Sequence, residues 1–193
     1  MSHQSDFIRA YAAESGRVVA SLATQADLIE QIGQKILTCL VAGGKLLAAG
    51  NGGSAAEAMH LCEELTGKYR DVRRALPAIC LNADPTALTC IANDWDYASV
   101  FSRQAEAFTR PGDVLVIFST SGNSENLTRV LQTVKARGGI TIGLLGRSGG
   151  KAKALCDLAL VVASEKGNHV QEAHQAILHL ILEHVDAALP AEK

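Results

Sequence analysis

The chain has 193 residues, a formal net charge of −2 and 48% hydrophobic residues, which suits one globular domain with a full core. Aromatic residues make up only 4%, so the chain lacks both the basic surface and the aromatic platforms that direct nucleic-acid binding requires. The first residues do not form a signal peptide, and no apolar run is long enough to span a membrane. We therefore predict a cytoplasmic protein.

Two kinds of pattern alternate along the chain. Apolar residues recur at helical spacing at about 4–23 and 26–42, and short apolar runs then alternate with further helical patterns. The apolar runs lie at 45–49, 77–81, 113–118, 140–145 and 158–163, and the last helix is predicted at 171–189. This alternation predicts one α/β domain over 1–193, with a central parallel sheet of about five strands flanked by helices. Within it, 44–193 is the nucleotide-fold-like core, and the helical pair at 1–43 is predicted to mediate oligomerisation.

A glycine-rich turn, Gly50-Asn51-Gly52-Gly53-Ser54, separates the first strand from a helix. Glycines allow positive φ angles and let backbone N–H groups approach a ligand, while the N-terminus of the next helix carries partial positive charge. An anionic or polyhydroxyl ligand suits this arrangement. The turn also fits the loose dinucleotide fingerprint, but that pattern requires an acidic residue at the end of the second strand, where Leu81-Asn82 stands.

His60 and Glu64 are four residues apart on the same predicted helix, so their side chains project from one face near the glycine turn. An imidazole and a carboxylate at this spacing can bind a metal or transfer a proton. They can equally form a surface ion pair worth only ~0.3 to 0.5 kcal/mol, and the residues alone leave both alternatives open.

A serine-rich loop, residues 119–124, follows the apolar strand at 113–118 and carries hydroxyl groups on Ser119, Thr120, Ser121 and Ser124. Hydroxyls beside the N–H groups of a helix N-terminus suit a phosphate monoester, with a solvated helix cap as the alternative. The loop lacks the Lys of a Walker loop, which argues against nucleoside triphosphate hydrolysis. Since ligands of parallel sheets bind beyond the carboxyl ends of the strands, we expect this loop and the glycine turn to converge on one crevice.

Three histidines, His174, His179 and His184, lie five residues apart on the last helix. Successive side chains are rotated by about 140°, so they do not share a face and at most one of them reaches a given site. Apolar residues surround His179 in the periodic pattern. It is either a core histidine or a functional group held in an apolar wall.

In combination, these motifs resemble those of the phosphoheptose isomerases, the sedoheptulose 7-phosphate isomerases of the SIS (sugar isomerase) superfamily. The matching segments occur in the family's order over nearly the whole chain. They are residues 50–54 (GNGGS), 58–60 (AMH), 63–67 (EELTG), 93–94 (ND), 118–124 (FSTSGNS) and 171–174 (QEAH).

The resemblance implies a homotetramer with active sites at subunit interfaces. Its reaction would interconvert sedoheptulose 7-phosphate and D-glycero-D-manno-heptose 7-phosphate, for lipopolysaccharide or nucleotide-activated heptoses. The resemblance also implies one zinc ion per subunit, held by His60, Glu64, Gln171 and His179, with Glu64 and His179 as the acid/base pair. The substrate ligands that it implies are Asn51, Gly52, Gly53, Ser54, Glu64, Asn93, Asp94, Ser119, Thr120, Ser121, Ser124 and Gln171.

Two departures from the family pattern bear on contacts to the distal sugar hydroxyls. Lys68 stands where many members have Arg, and His169 stands where an Arg usually precedes Gln171, in a segment, 164–170, that is one residue short. The main alternative function is a non-catalytic SIS protein, either a replication-initiation adaptor or a sugar-phosphate-binding regulator. Adaptors of that type lack the carboxylate at Glu64, which this chain retains, and regulators usually carry a DNA-binding domain.

The implied ligand set raises a geometric question. Isomerisation through an enediol needs a base and a group that polarises the carbonyl, and a carboxylate, an imidazole and a divalent Lewis acid supply both. Gln171 and His179, however, are separated by about 12 Å along a straight helix and about 80° around it, so both barely reach one metal. Either Gln171 lies in an irregular first turn, or the two residues approach the metal from different subunits.

Overall fold

The computed structural model describes residues 3–189 and has an α/β fold. The α-helices are α1 (His3–Ala20), α2 (Ala26–Val41), α3 (Gly53–Thr66), α4 (Pro85–Asp94), α5 (Ser102–Phe108), α6 (Glu125–Ala136) and α7 (Gly167–Ala187). The strands are β1 (Leu46–Gly50), β2 (Ala78–Cys80), β3 (Val114–Ser119), β4 (Ile140–Gly146) and β5 (Leu158–Val162). None of the helices in this described part of the chain is long and apolar enough to cross a membrane.

The five strands form one parallel sheet in the order β2-β1-β3-β4-β5, which confirms the predicted architecture. The chain leaves β1 toward one edge of the sheet and continues from β3 toward the other, so the strand order reverses between β1 and β3. Such a reversal opens a crevice beyond the carboxyl ends of the two strands. Gly50 at the end of β1 is in register with Phe118 of β3, so the loops that follow both strands start at the same level.

Alternate residues of the central strands face two separate hydrophobic layers. Leu46 and Ala48 of β1 contribute to the layer under α2, α3 and α7, whereas Leu47 and Ala49 contribute to the layer that contains residues of α5 and α6. Every residue of β1 and β3 is buried. The continuous apolar runs in the sequence arise because both faces of these strands are covered.

Helix α7 begins at Gly167, four residues before the predicted start, so that boundary was wrong. Val170 and Ala173 are fully buried and extend the apolar face of the helix back into its first turn. Residues 164–167 are polar or glycine, so they show no helical apolar pattern from which this start could be predicted. A short 3₁₀ segment, Tyr97–Ser99, precedes α5. Asp84 caps α4, accepting hydrogen bonds from the N–H groups of Thr86 at 2.8 Å and Ala87 at 3.0 Å.

Candidate active site

Helices α3 and α7 lie side by side and run in the same direction. Near their N-terminal ends the amide of Gln171 lies against Gly53, so closely that a Cβ added to this glycine would come within 2.5 Å of Nε2. Two helical turns later, the ring centroid of His179 lies 5.3 Å from that of His60. Gln171 lies in the regular part of α7, after its first turn. An irregular first turn therefore does not bring Gln171 and His179 to one metal.

A polar cluster lies between the two helices around His60. Its Nε2 atom is 3.3 Å from a carboxylate oxygen of Glu64 and 4.0 Å from one of Glu63. One ligand atom from each of these three residues lies within 4.8 Å of the other two, and a second imidazole, His179, is adjacent. Imidazole nitrogens and carboxylate oxygens at such distances fit a divalent transition metal such as zinc. His60 and Glu64 are half-buried, with side-chain exposures of 30% and 18%, whereas Glu63 is exposed.

Of the four histidines in α7, the three at 174, 179 and 184 point in different directions, as their five-residue spacing predicted. His174 is fully buried and lies 3.5 Å, Nδ1 to carboxylate oxygen, from buried Glu57, whereas His184 lies against Gly33. His179 is half-buried, with the ring of Tyr69 stacked on it at a centroid distance of 5.9 Å. Burial and the nearby Glu183 carboxylate raise the pKa of Tyr69, which keeps its phenol protonated near the cluster.

The serine-rich loop is held by local hydrogen bonds and by a neighbouring loop. Ser119 Oγ accepts from the N–H of Gly122 at 3.0 Å, and Ser121 Oγ accepts from the N–H of Asn123 at 3.2 Å. Gly122 has a φ of +65°, and a Cβ there would lie 1.9 Å from the carbonyl oxygen of Gly149. The N–H of Ala152 also donates to the Gly122 carbonyl at 2.9 Å. These contacts restrain the conformation of the loop.

Hydroxyl and amide donors remain available in this loop. Ser124 precedes α6 but its side chain makes no capping hydrogen bond to the helix. The first N–H groups of a helix have no intrahelical partner, and they carry partial positive charge. Together with the Ser119, Thr120 and Ser121 hydroxyls, they can bind the oxygens of a phosphate group without a cationic side chain.

Asparagine amides hold the glycine turn and join it to the serine-rich loop. Asn82 accepts from the N–H of Gly50 at 3.1 Å and donates to its carbonyl at 2.9 Å. Asn51 and Asn126 exchange two amide hydrogen bonds of 3.0 and 2.9 Å, and Tyr97 donates to Asn51 at 3.0 Å. A cavity of about 520 Å³ opens where the two loops meet. It is lined by Asn51, Tyr97, Ala98, Ser124, Glu125 and Asn126.

The predicted site residues fall into two groups and one outlying pair. His60, Glu64 and His179 form the cluster between α3 and α7, while Gln171 lies with the glycine turn. Ser54 is buried in the first turn of α3, and Thr120 lies close to Gly167 at the start of α7. The residues around the crevice are Asn51, Gly52, Gly53, Ser54, Ser119, Thr120, Ser121, Ser124 and Gln171. Asn93 and Asp94 are exposed and bond to one another at 2.8 Å, and in residues 3–189 their hydrogen bonds do not reach this crevice.

Sequence reasoning missed five polar residues around the site. They are Tyr69, Asn82, Tyr97, Asn126 and Gln175. Gln175 had a usable signal, because it precedes His179 by four residues and therefore shares its helix face. The asparagines and tyrosines had none, since their partners are far away in the sequence and only the folded chain brings them together.

The two departures from the family pattern lie outside the cluster. Lys68 is exposed. His169 is fully buried, with its ring 4.6 Å from that of Tyr11 and its Nδ1 2.8 Å from Glu172. Glu172 also accepts from Tyr11 and, at 2.6 Å, from Ser15, so this network attaches α1 to α7. Burial opposes ionisation of Glu172, but these hydrogen bonds outweigh it and lower its pKa.

The family model of the SIS domain matches residues 10–146, and this match defines the class of the chain. Phosphoheptose isomerase from Clostridium acetobutylicum is 43% identical over 192 residues, which cover 97% of this chain and 97% of the relative. Phosphoheptose isomerase from Fusobacterium nucleatum is 45% identical over 81% of this chain and 80% of the relative. The solved phosphoheptose isomerase of Neisseria gonorrhoeae superposes with a TM-score of 0.91 at 37% identity, covering 96% of this chain and all of that one. The chain belongs to the phosphoheptose isomerase family, and it is an isomerase.

Proposed function

We propose that this chain interconverts sedoheptulose 7-phosphate and D-glycero-D-manno-heptose 7-phosphate through an enediol, as a step in heptose biosynthesis. One observation carries the proposal: a single helix, α7, contributes to both halves of the site. Gln171 lies at the glycine turn beside the serine-rich loop, and His179 lies at the polar cluster two helical turns further along α7. A sugar phosphate bound between them would have its phosphate at the loops and its carbonyl end toward the cluster.

The serine-rich loop is assigned to the phosphate. Its hydroxyls and the N-terminus of α6 supply neutral donors, which suits a dianion whose charge does not change during isomerisation. Each charge-assisted hydrogen bond contributes about 1.5–3 kcal/mol. We assign Asn51, Gly52, Gly53, Ser54 and Gln171 to the sugar and phosphate oxygens on the same side of the crevice. The predicted roles of Asn93 and Asp94 stay predictions, since their hydrogen bond joins them to one another rather than to the loops.

The proton transfer is assigned to Glu64 and His179. In the ketose-to-aldose direction a base removes a proton from C1 and returns it to C2, while the C2 carbonyl oxygen gains a proton and the C1 hydroxyl loses one as the new carbonyl forms at C1. Glu64 is proposed as the base that acts on carbon, and His179 as its partner at the oxygens. Tyr69, stacked on His179, restricts the orientation of the imidazole.

The metal is proposed to be zinc, held by His60, Glu64 and His179 of one chain. When bound, it supplies Lewis-acid polarisation of the carbonyl. Gln171 lies at the glycine turn of this same chain, so its predicted role as a fourth ligand requires a second copy of the chain. Exposed Glu63 is close enough to His60 to act as an additional ligand.

We also propose that the chain forms a homo-oligomer, in particular a homotetramer with active sites at the subunit interfaces. An apolar cavity of about 790 Å³ between the N-terminal helices and α7 extends to His179. Phe7, Ile8 and Leu180 are also exposed in this half of the molecule. Covering these side chains with another copy would remove apolar surface from water and enclose the cluster. The cytoplasmic location stays a prediction.

The decisive experiment is incubation of the zinc-loaded protein with sedoheptulose 7-phosphate, with an assay for the aldose phosphate product. We expect turnover with this substrate and none with unphosphorylated sedoheptulose, because the serine-rich loop then has no anion to bind. Glu64→Gln is the matched inactive control. Binding of the sugar phosphate without turnover by a folded, metal-loaded protein would contradict the isomerase and favour the sugar-phosphate-binding regulator.

A further inference from the structure

Gln175 of α7 contacts the cluster directly. It is half-buried, lies one helical turn before His179 and places Oε1 2.9 Å from Nδ1 of His60. Neither the substrate nor the metal role discussed above involves it. Its contact nevertheless joins α7 to α3 at the centre of the cluster.

The two ring nitrogens of His60 face different partners. Nε2 faces the carboxylates of Glu64 and Glu63, where the ligand atoms converge, and Nδ1 faces away from them toward Gln175. A neutral imidazole has one N–H and one lone pair, and only the nitrogen with the lone pair can bind a metal. Coordination through Nε2 therefore requires the proton on Nδ1. That N–H needs an acceptor, which the amide oxygen of Gln175 supplies.

A glutamine amide has two properties that suit this position. It is neutral, so it accepts the hydrogen bond without adding a third negative charge beside Glu63 and Glu64. Its oxygen, Oε1, is the atom that faces Nδ1, and an acceptor in that position favours the Nδ1–H tautomer. An apolar side chain of similar size would leave the Nδ1–H of this half-buried ring without its protein partner. The tautomer that binds the metal through Nε2 would then be less stable.

We propose that Gln175 is a positioning residue that holds His60 in the Nδ1–H tautomer and directs Nε2 toward the bound metal. This inference rests on the metal site in the proposed function. The two glutamines of α7 then have different roles, since Gln175 contacts the cluster whereas Gln171 contacts Gly53. Partners of this kind orient metal-binding histidines and raise metal affinity.

The test compares Gln175→Leu, Gln175→Glu and Gln34→Leu with the wild type. Gln34 is the matched control, because its Oε1 lies 3.4 Å from Nε2 of His184 at another contact between a helix and α7. Zinc affinity is measured by competition with a chromogenic chelator, and the absorption spectrum of Co²⁺ reports the coordination geometry. We expect Gln175→Leu to weaken zinc binding about 10- to 100-fold and to alter the Co²⁺ spectrum. Gln175→Glu, which keeps the acceptor, should bind within about threefold of the wild type, and Gln34→Leu should bind normally.

The tautomer is read directly from protein labelled with ¹⁵N-histidine and loaded with zinc. The His60 signals are assigned by their loss in His60→Gln. We expect a protonated Nδ1 and a metal-bound Nε2, with faster solvent exchange of the Nδ1 proton in Gln175→Leu. Coordination through Nδ1 would overturn the inference, as would wild-type zinc affinity in a folded Gln175→Leu protein.

These results are distinguishable from those of the isomerase assay. Weakened zinc binding in Gln175→Leu supports the inference even if the wild type does not turn over sedoheptulose 7-phosphate. Normal turnover together with unchanged zinc affinity in Gln175→Leu rejects the inference and leaves the proposed function intact. A wild-type protein that turns over the substrate but binds no metal also rejects it.

Discussion

The two halves of the site are built in different ways. The serine-rich loop is closed by hydrogen bonds between residues two or three positions apart, such as Ser119 with Gly122 and Ser121 with Asn123. The cluster depends on α7 lying against α3, and its contact between His60 and Gln175 spans 115 positions of the chain. Local hydrogen bonds therefore shape the serine-rich loop, with support from the loop at Gly149, whereas the cluster forms only through the packing of α7 on α3. Substitutions in the two halves should have different kinetic signatures.

The largest effect is expected in the cluster, from Glu64→Gln. A positioned acid or base contributes about 10²- to 10⁴-fold in rate, so kcat should fall at least about a hundredfold. Binding of the sugar phosphate should persist, because the serine-rich loop is untouched. Steady-state kinetics and zinc content must be measured together, since Glu64 is also a proposed ligand. A zinc-loaded variant with near-normal kcat would remove Glu64 from the chemistry.

The next effect belongs to the loop, from Ser121→Ala. Loss of one hydrogen bond to the phosphate, worth about 1.5–3 kcal/mol, should raise KM about 10- to 100-fold. We expect kcat to change much less, because the phosphate keeps its charge in the transition state. Thr128→Ala, a hydroxyl residue of α6 outside the loop, is the control. An unaltered KM in Ser121→Ala would place the phosphate elsewhere.

A smaller effect is expected from Asn82→Ala, because Asn82 makes a long-range contact that supports the glycine turn. This change removes both hydrogen bonds to Gly50 and should lower the free energy of unfolding by about 1–3 kcal/mol. The melting temperature would then fall by roughly 2–4 °C for each kcal/mol. Exposed Asn168→Ala serves as the comparison in the same thermal melts. Equal melting temperatures for the two variants would show that the glycine turn holds its shape without Asn82.

The smallest effect concerns the attachment of α7 to α1, from Glu172→Gln. Because the pKa of Glu172 is lowered below its usual 4.5 in the folded protein, its stabilising contribution is present above that pH. The contribution is lost as the pH falls through the lowered value. We therefore expect the wild type to lose more stability than Glu172→Gln between about pH 6 and pH 3. Thermal melts over this range, with exposed Glu165→Gln as control, measure the difference, and parallel curves would contradict it.

The parts of the fold that were predicted are those set by local sequence. The apolar run of β3 was recognised as a strand, and it is continuous because both of its faces are buried. The start of α7 was missed, since polar residues fill the segment before Val170. His60 and Glu64 were paired correctly from their spacing on one helix. Their partners Gln175 and Tyr69 depend on how α7 lies on α3, and that information is spread over both helices rather than held in one motif.

The contact between Gly122 and the loop that contains Gly149 has a consequence for the time course of binding. Because these contacts hold the serine-rich loop against its neighbour, we expect that the loop does not have to close over the phosphate. Affinity is then not reduced by a scarcely populated competent state. Stopped-flow traces of sugar-phosphate binding should show a single phase whose rate rises linearly with ligand concentration, without the plateau that a slow isomerisation imposes.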